Sequence, residues 1–250
     1  MRKNILITGA SSGLGLGMAE AFAAKGRNLA LCARRLDLLE ALRDDLLNKH
    51  PGIKVSIRAL DVCDYDAVFE VFNDLDAELG GLDRIIVNAG MDSGRPLGTG
   101  KFELNRKTAE TNFIGALAQC EAALALFRPR ENGHLVMISS VSAYRGQPMF
   151  MNTYAATKAA VASLMEGLRI ELRGTPIKVS TLFPGFIRTA INEKVKSRPF
   201  LVELDIGVAA LVKAIEAEVT ESSIPKWPWA AVGFALRNLP LSIVAKTFGH

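Results

Sequence analysis

The sequence predicts an α/β fold: a single doubly wound parallel sheet with helices on both faces. Three observations predict it. Apolar runs of strand length alternate with longer segments whose apolar residues recur every three or four positions, the signature of a parallel sheet covered on both sides. A chain of 250 residues with 49% apolar content is long enough for one large core and short for two. No repeat, low-complexity tract or linker divides it. The whole of 1–250 is therefore expected to form one domain.

Taken in order, strands are expected over 4–8, 28–33, 54–59, 84–88, 133–139 and 178–183, with a last short one near 221–224. Helices are expected over 13–24, 36–48, 64–79, 108–125 and 153–172. The stretch 190–205 lacks periodicity and carries Lys194, Lys196, Arg198 and Pro199 between two helical-looking segments. It reads either as a substrate lid or as a solvated surface connection. Beyond it, 222–250 contains no acidic residue and holds both tryptophans, Trp227 and Trp229, with Phe234, Leu236, Leu239, Ile243, Val244 and Phe248. Lys226, Arg237 and Lys246 interrupt this apolar segment, and with Pro240 they forbid a membrane span. Two readings stay open: packing over a cleft or against another subunit, and a helix lying peripherally on a membrane. Either one favours a greasy substrate.

Composition excludes several function classes. The net charge of +4 is mild and its cations are dispersed, so nucleic acid is not an expected partner. Cys32, Cys63 and Cys120 are too few and too scattered for a disulfide framework. His50, His134 and His250 have no second ligand at metal spacing, so no metal site is expected; His134, just ahead of an apolar run, reads as a loop residue. The amino terminus passes from two cations into a short apolar run without a secretory pattern, and a cytoplasmic, unprocessed chain is expected.

The first strand ends in Thr8-Gly9-Ala10-Ser11-Ser12-Gly13-Leu14-Gly15 and runs into a helix. Glycines there allow a sharp turn and close backbone approach to a pyrophosphate, which the helix amino terminus faces with unpaired N–H groups. The second strand ends in Ala33-Arg34-Arg35. A carboxylate at that place would accept from a ribose 2′-hydroxyl and repel a 2′-phosphate; two guanidinium groups suit the phosphate, and NADP(H) is the expected cofactor. Asp61, before Val62, reads equally as the N-cap of the next helix. Tyr154 and Lys158 are four apart and share a helix face. An ammonium beside a phenol favours the phenolate, which brings a poor proton carrier toward a useful range.

With its Thr-Gly-x-x-x-Gly-x-Gly turn at 8–15, its Asn88-Ala89-Gly90 after the fourth strand and its Tyr-x-x-x-Lys at 154–158, the chain resembles the short-chain dehydrogenase/reductase family. The resemblance runs in order from Thr8 to Thr189, about three quarters of the chain. It implies a Rossmann-type fold and hydride transfer between a nicotinamide and a carbonyl or alcohol carbon of a small-molecule substrate. It implies that Tyr154 transfers the proton, Ser140 holds the substrate oxygen, Lys158 grips the nicotinamide ribose, and Asn112 keeps a water in a proton relay. It implies that Gly9, Ser11, Ser12, Gly13, Leu14 and Gly15 cradle the phosphates and that Arg34, with Arg35, marks NADP. Asp61 and Val62 would meet the adenine, Asn88, Ala89 and Gly90 would line the cofactor, and Pro184, Gly185, Ile187 and Thr189 would grip the carboxamide. Homodimers or homotetramers are implied by the long helices at 108 and 153. One departure stands out. Ser140 and Tyr154 are 14 positions apart, where 13 is usual; the extra residue is expected within 148–153, with Ser142 as a substitute for Ser140 and Ser139 as a support. A non-catalytic NADP(H) sensor on the same fold is the rival reading; it predicts a missing tyrosine or lysine.

Overall fold

The computed structural model describes residues 1–189 and 199–247. Its sheet has seven strands, all parallel: β1 (Asn4–Thr8), β2 (Asn28–Ala33), β3 (Val55–Ala59), β4 (Arg84–Val87), β5 (Gly133–Ile138), β6 (Ile177–Pro184) and β7 (Glu221–Ile224). Their order is β3-β2-β1-β4-β5-β6-β7, so the chain winds outward from β1, returns to β4, and winds outward the other way. The reversal between β1 and β4 leaves a crevice at the strands' carboxyl ends, where such sheets bind ligands.

Strand residues alternate between two cores, as a period of two requires. Leu6, Ile85, Val87, Leu135 and Met137 face α3 (Tyr65–Leu79), α5 (Gly115–Arg130) and α6 (Asn152–Glu171). Ile5, Ile7, Ile86, Val136 and Ile138 face α1 (Gly13–Ala23), α2 (Leu36–Lys49) and α7 (Leu204–Glu216). Cys32 and Cys120 are buried and Cys63 half-buried; burial pushes the Cys32 and Cys120 thiols up to about 12, so both behave as small apolar residues.

Several expectations need correction. The helix expected from 108 begins earlier, as α4 (Phe102–Ala109), and passes through a π turn at Glu110–Ile114 before α5. His134 is no loop residue: it lies in β5 and is fully buried. Its Nδ1 accepts from Arg84 Nε at 2.9 Å and its Nε2 pairs with Ser180 Oγ at 2.8 Å, a polar plug at the strands' amino ends. The N-cap of α3 is Asp64, whose carboxylate accepts from the Ala67 N–H, so Asp61 is released from that role. Of the expected lid, 190–198 lies outside the described residues; 199–203 is pinned by a bridge between Ile187 and Val202, and 204–205 opens α7. The C-terminal segment forms α8 (Lys226–Asn238) and α9 (Leu241–Thr247). Among the described residues no helix is long and apolar enough to cross a membrane.

Candidate active site

The glycine turn leaves β1 at the crevice. Gly9 (φ +66°) and Gly13 (φ +56°) take conformations that side chains resist. A Cβ on Gly15 would lie 2.3 Å from the Gly9 carbonyl oxygen, so the turn closes only around glycine. Asn88 latches it from β4: its Nδ2 donates to the Thr8 carbonyl at 2.9 Å, while Thr8 Oγ1 accepts from the Asn88 and Ala89 N–H groups at 3.1 and 3.2 Å. The N-cap of α1, Ser12, makes no side-chain capping bond, so the first-turn N–H groups keep their capacity for an anion. These features fit a dinucleotide pyrophosphate.

At the end of β2, Arg34 and Arg35 are exposed. Arg35 Nη2 donates to Ser11 Oγ (3.1 Å) and Ser12 Oγ (3.3 Å), which holds a guanidinium against the phosphate turn. Across the crevice, the Asp61 carboxylate accepts from the Cys63 N–H at 3.0 Å and Val62 is buried against Gly115.

The chemical groups come from β5 and α6. Ser139 Oγ is buried and donates to the Lys158 carbonyl at 2.8 Å, pinning helix to strand. Ser140 caps the short 3-10 turn Val141–Tyr144, its Oγ accepting the Ser142 N–H at 3.1 Å. That bond occupies a lone pair and leaves the hydroxyl proton to donate elsewhere. Tyr154 lies half-buried one helical turn before Lys158, whose Nζ is 5.9 Å from the Tyr154 ring centre and donates to the Ile138 carbonyl at 2.9 Å. Burial lowers the Lys158 ammonium from 10.5 to about 8. Between Ser140 and Tyr154 the chain makes a 3-10 turn at Met149–Met151, which opens on Met149 at φ +58°. Ser140 lies just past the end of β5.

Asn112, in the π turn, is buried and braces the segment after β4. Its Oδ1 accepts from the Met91 N–H and its Nδ2 donates to the Met91 carbonyl, each at 2.8 Å, and Nδ2 also reaches Thr157 Oγ1 at 3.3 Å. Asn112 Oδ1 and Lys158 Nζ both fall within 3.5 Å of the point a Gly90 Cβ would occupy.

The far wall is β6 and its continuation. The Gly185 N–H donates to the Ile224 carbonyl at 2.8 Å, Ile187 is buried against Gly207, and Thr189 comes within van der Waals reach of Gly13 across the opening. Together these walls enclose about 720 Å³, lined from Gly9 and Arg35 at one end to Ser140, Tyr154, Lys158, Pro184 and Thr189 at the other. The residues named from the sequence as catalytic or cofactor-binding lie along this cleft or, like Asn112 and Gly15, directly behind its wall. Sequence reasoning missed Thr8 as the acceptor for β4, Met91 as the partner of Asn112, and Trp229. A Cβ on Gly185 would lie 2.0 Å from Trp229 Nε1, so that indole backs the Pro184–Gly185 wall. The signal for Trp229 was its place in an apolar tail; nothing local named its partner.

Comparisons with known proteins agree with this arrangement. A family model described as short chain dehydrogenase matches residues 3–199. An uncharacterized oxidoreductase of Mycobacterium tuberculosis strain H37Rv is 51% identical over 96% of this chain and 94% of its own length. One from Myxococcus xanthus is 38% identical over 95% and 93%. Among solved structures, a short-chain dehydrogenase from Sphingobium yanoikuyae in complex with NADPH superposes with a TM-score of 0.82 at 28% identity, covering 97% of this chain and 95% of that one. Levodione reductase gives 0.82 at 25% identity over 92% and 98%. The chain belongs to the short-chain dehydrogenase/reductase family, oxidoreductases that act between CH–OH and C=O with a nicotinamide cofactor.

Proposed function

We propose that this protein is an NADP(H)-dependent oxidoreductase acting on the carbonyl or alcohol carbon of a hydrophobic substrate, with Ser140, Tyr154, Lys158 and Asn112 as its chemical groups. The observation that carries the cofactor choice is the pair Arg34 and Arg35 at the end of β2, with Arg35 held against Ser11 and Ser12 and no carboxylate at that strand end. Gly9, Gly13, Gly15 and the uncapped start of α1 would hold the pyrophosphate; Asp61 and Val62 would flank the adenine. Pro184, Gly185, Ile187 and Thr189 would bound the nicotinamide, which when bound supplies or accepts a hydride.

The chain's own groups do the rest. Ser140 Oγ, its lone pair taken by the Ser142 N–H, donates to the substrate oxygen and fixes its place. Tyr154 Oη gives that oxygen its proton in reduction and takes it back in oxidation. The Lys158 ammonium, depressed to about 8, stays mostly charged at neutral pH beside the phenol. Asn112 Oδ1 and Lys158 Nζ both border Gly90, 3.2 and 3.5 Å from the point its Cβ would occupy, which suits a water relay from the phenol toward solvent.

The test is a panel of ketones and aldehydes followed by NADPH absorbance, with NADH in parallel. Tyr154→Phe is expected to lose turnover by about 100-fold or more, the scale of a general acid, and to bind NADPH as wild type does. Unchanged turnover in Tyr154→Phe would refute the assignment. NADPH binding with no turnover on any substrate by the wild type favours the sensor reading.

A further inference from the structure

We propose that the outer face of α8 and α9 docks on an anionic lipid surface and that the cleft draws a lipophilic carbonyl compound from it. The second clause rests on the function proposed above; the first does not.

The two tryptophans of α8 divide the helix. Trp229 turns inward and is 4% exposed, while Trp227, Phe234 and Leu241 are 76%, 72% and 68% exposed, with Ile243 at 47%. Packing against the body therefore accounts for one tryptophan and leaves Trp227, at a non-helical kink in α8, in water with Phe234, Leu241 and Ile243, a concentration of exposed apolar side chains that suits an interaction surface. Its charge is mainly positive. Lys226, Arg237 and Lys246 are interspersed with the apolar residues, and Arg145 donates to the Arg237 carbonyl at 3.5 Å, adding a fourth cation. Among the described residues Glu221 pairs with both Arg237 and Arg169, so it offsets one of these cations in part. Exposed tryptophan and phenylalanine ringed by Lys and Arg complement a surface that is apolar below and negative at its headgroups. With 13 and 7 residues, α8 and α9 are too short to span a bilayer and suited to lie in its plane.

The opposite, inward side of α8 backs the cleft. Trp229 meets Phe186 edge-on at 5.2 Å and Phe200 at 5.8 Å; Phe186 lines the cleft and Phe200 is 53% exposed. Apolar rings thus run from the exposed Phe200 through Trp229 to Phe186 on the cleft wall, an entry suited to a lipophilic substrate.

The experiment uses the full chain in co-flotation with vesicles of phosphatidylcholine alone or with about 30% phosphatidylglycerol. Binding is expected to be about tenfold stronger to the anionic vesicles and to fall about tenfold in 0.5 M salt. Trp227→Ser with Phe234→Ser should lose that binding, with NADPH affinity and turnover of a water-soluble ketone unchanged, and should slow turnover of a long-chain ketone held in the vesicles. No binding, binding indifferent to lipid charge, or full binding by the double variant overturns the proposal. So does light scattering that shows a dimer which the double variant dissociates, since a second copy would then own this face. Vesicle binding by a protein that reduces no ketone would sink the function reading and leave the docking surface standing.

Discussion

Replacing Lys158 with Met tests the electrostatics of the site through stability, without reference to turnover. Lys158 is 6% exposed, and burial lowers its ammonium from 10.5 to about 8. At neutral pH the fold thus bears about 3 kcal/mol for keeping the charged form out of water. The bond from Nζ to the Ile138 carbonyl, about 1 kcal/mol, is lost in the variant. Met has nearly the volume of Lys and fills the same slot. The sign follows from proton counts. The folded value lies below the unfolded one, so between them the unfolded chain binds more protons and wild-type stability rises with pH. Below pH 8 the penalty is whole; above 10.5 it is gone. Lys158→Met should therefore be more stable than wild type by about 2 kcal/mol at pH 7, and less stable by about 1 kcal/mol near pH 10.5, where only the lost bond remains. Denaturant unfolding followed by circular dichroism at both pH values reads this directly. A variant less stable than wild type at pH 7, or a difference that does not change with pH, would show that the ammonium is not desolvated as the structure has it.

Arg34→Ser with Arg35→Ser should raise KM for NADPH by about 10- to 100-fold, the worth of one or two charge-assisted bonds, and leave KM for NADH unchanged; equal losses with both would disprove 2′-phosphate recognition. Gly15→Ala forces a Cβ to 2.3 Å from the Gly9 carbonyl oxygen, so thermal unfolding should show a loss of about 1–3 kcal/mol and titration a loss of NADPH binding. His134, held far down at about 2 by burial and by Arg84, should stay neutral with its proton on Nε2, because Nδ1 accepts from Arg84; nitrogen NMR shifts that move between pH 4 and 9 would contradict this.

The cofactor half of the site was legible because its parts are local. A strand, a glycine turn and a helix follow one another at 4–23, and the residues proposed to meet the phosphates lie within them. The same holds for Tyr154 and Lys158, which one helical turn brings onto one face. Most of what escaped was non-local. His134 looked like a loop residue because its partners, Arg84 and Ser180, lie 50 and 46 positions away. One miss was local: Asp61 reads as a cap in sequence, whereas the Ala67 N–H, three residues past Asp64, makes Asp64 the cap of α3. The π turn around Asn112 inserts no residue type that periodicity would flag.

The substrate half is built the other way, and this bounds what a sequence can say of it. Its walls meet across the chain: Thr189 faces Gly13, the Met91 backbone is braced by Asn112, and Trp229 from the last helices backs Gly185 from β6. None of these pairs has a spacing to recognise. Shape in that half is therefore set by how α8 sits on the sheet edge, and α8 sits there through the buried Trp229 indole and through Gly233 and Arg237 packed on Tyr144. Gly185 and Trp229 are matched as a small residue and a large one, so a larger residue at 185 or a smaller one at 229 moves the wall beside the nicotinamide position before it touches the phosphates. On the proposed function, cofactor class follows from the turn at 8–15 and the arginines at 34–35, and substrate class from what α8 rests against.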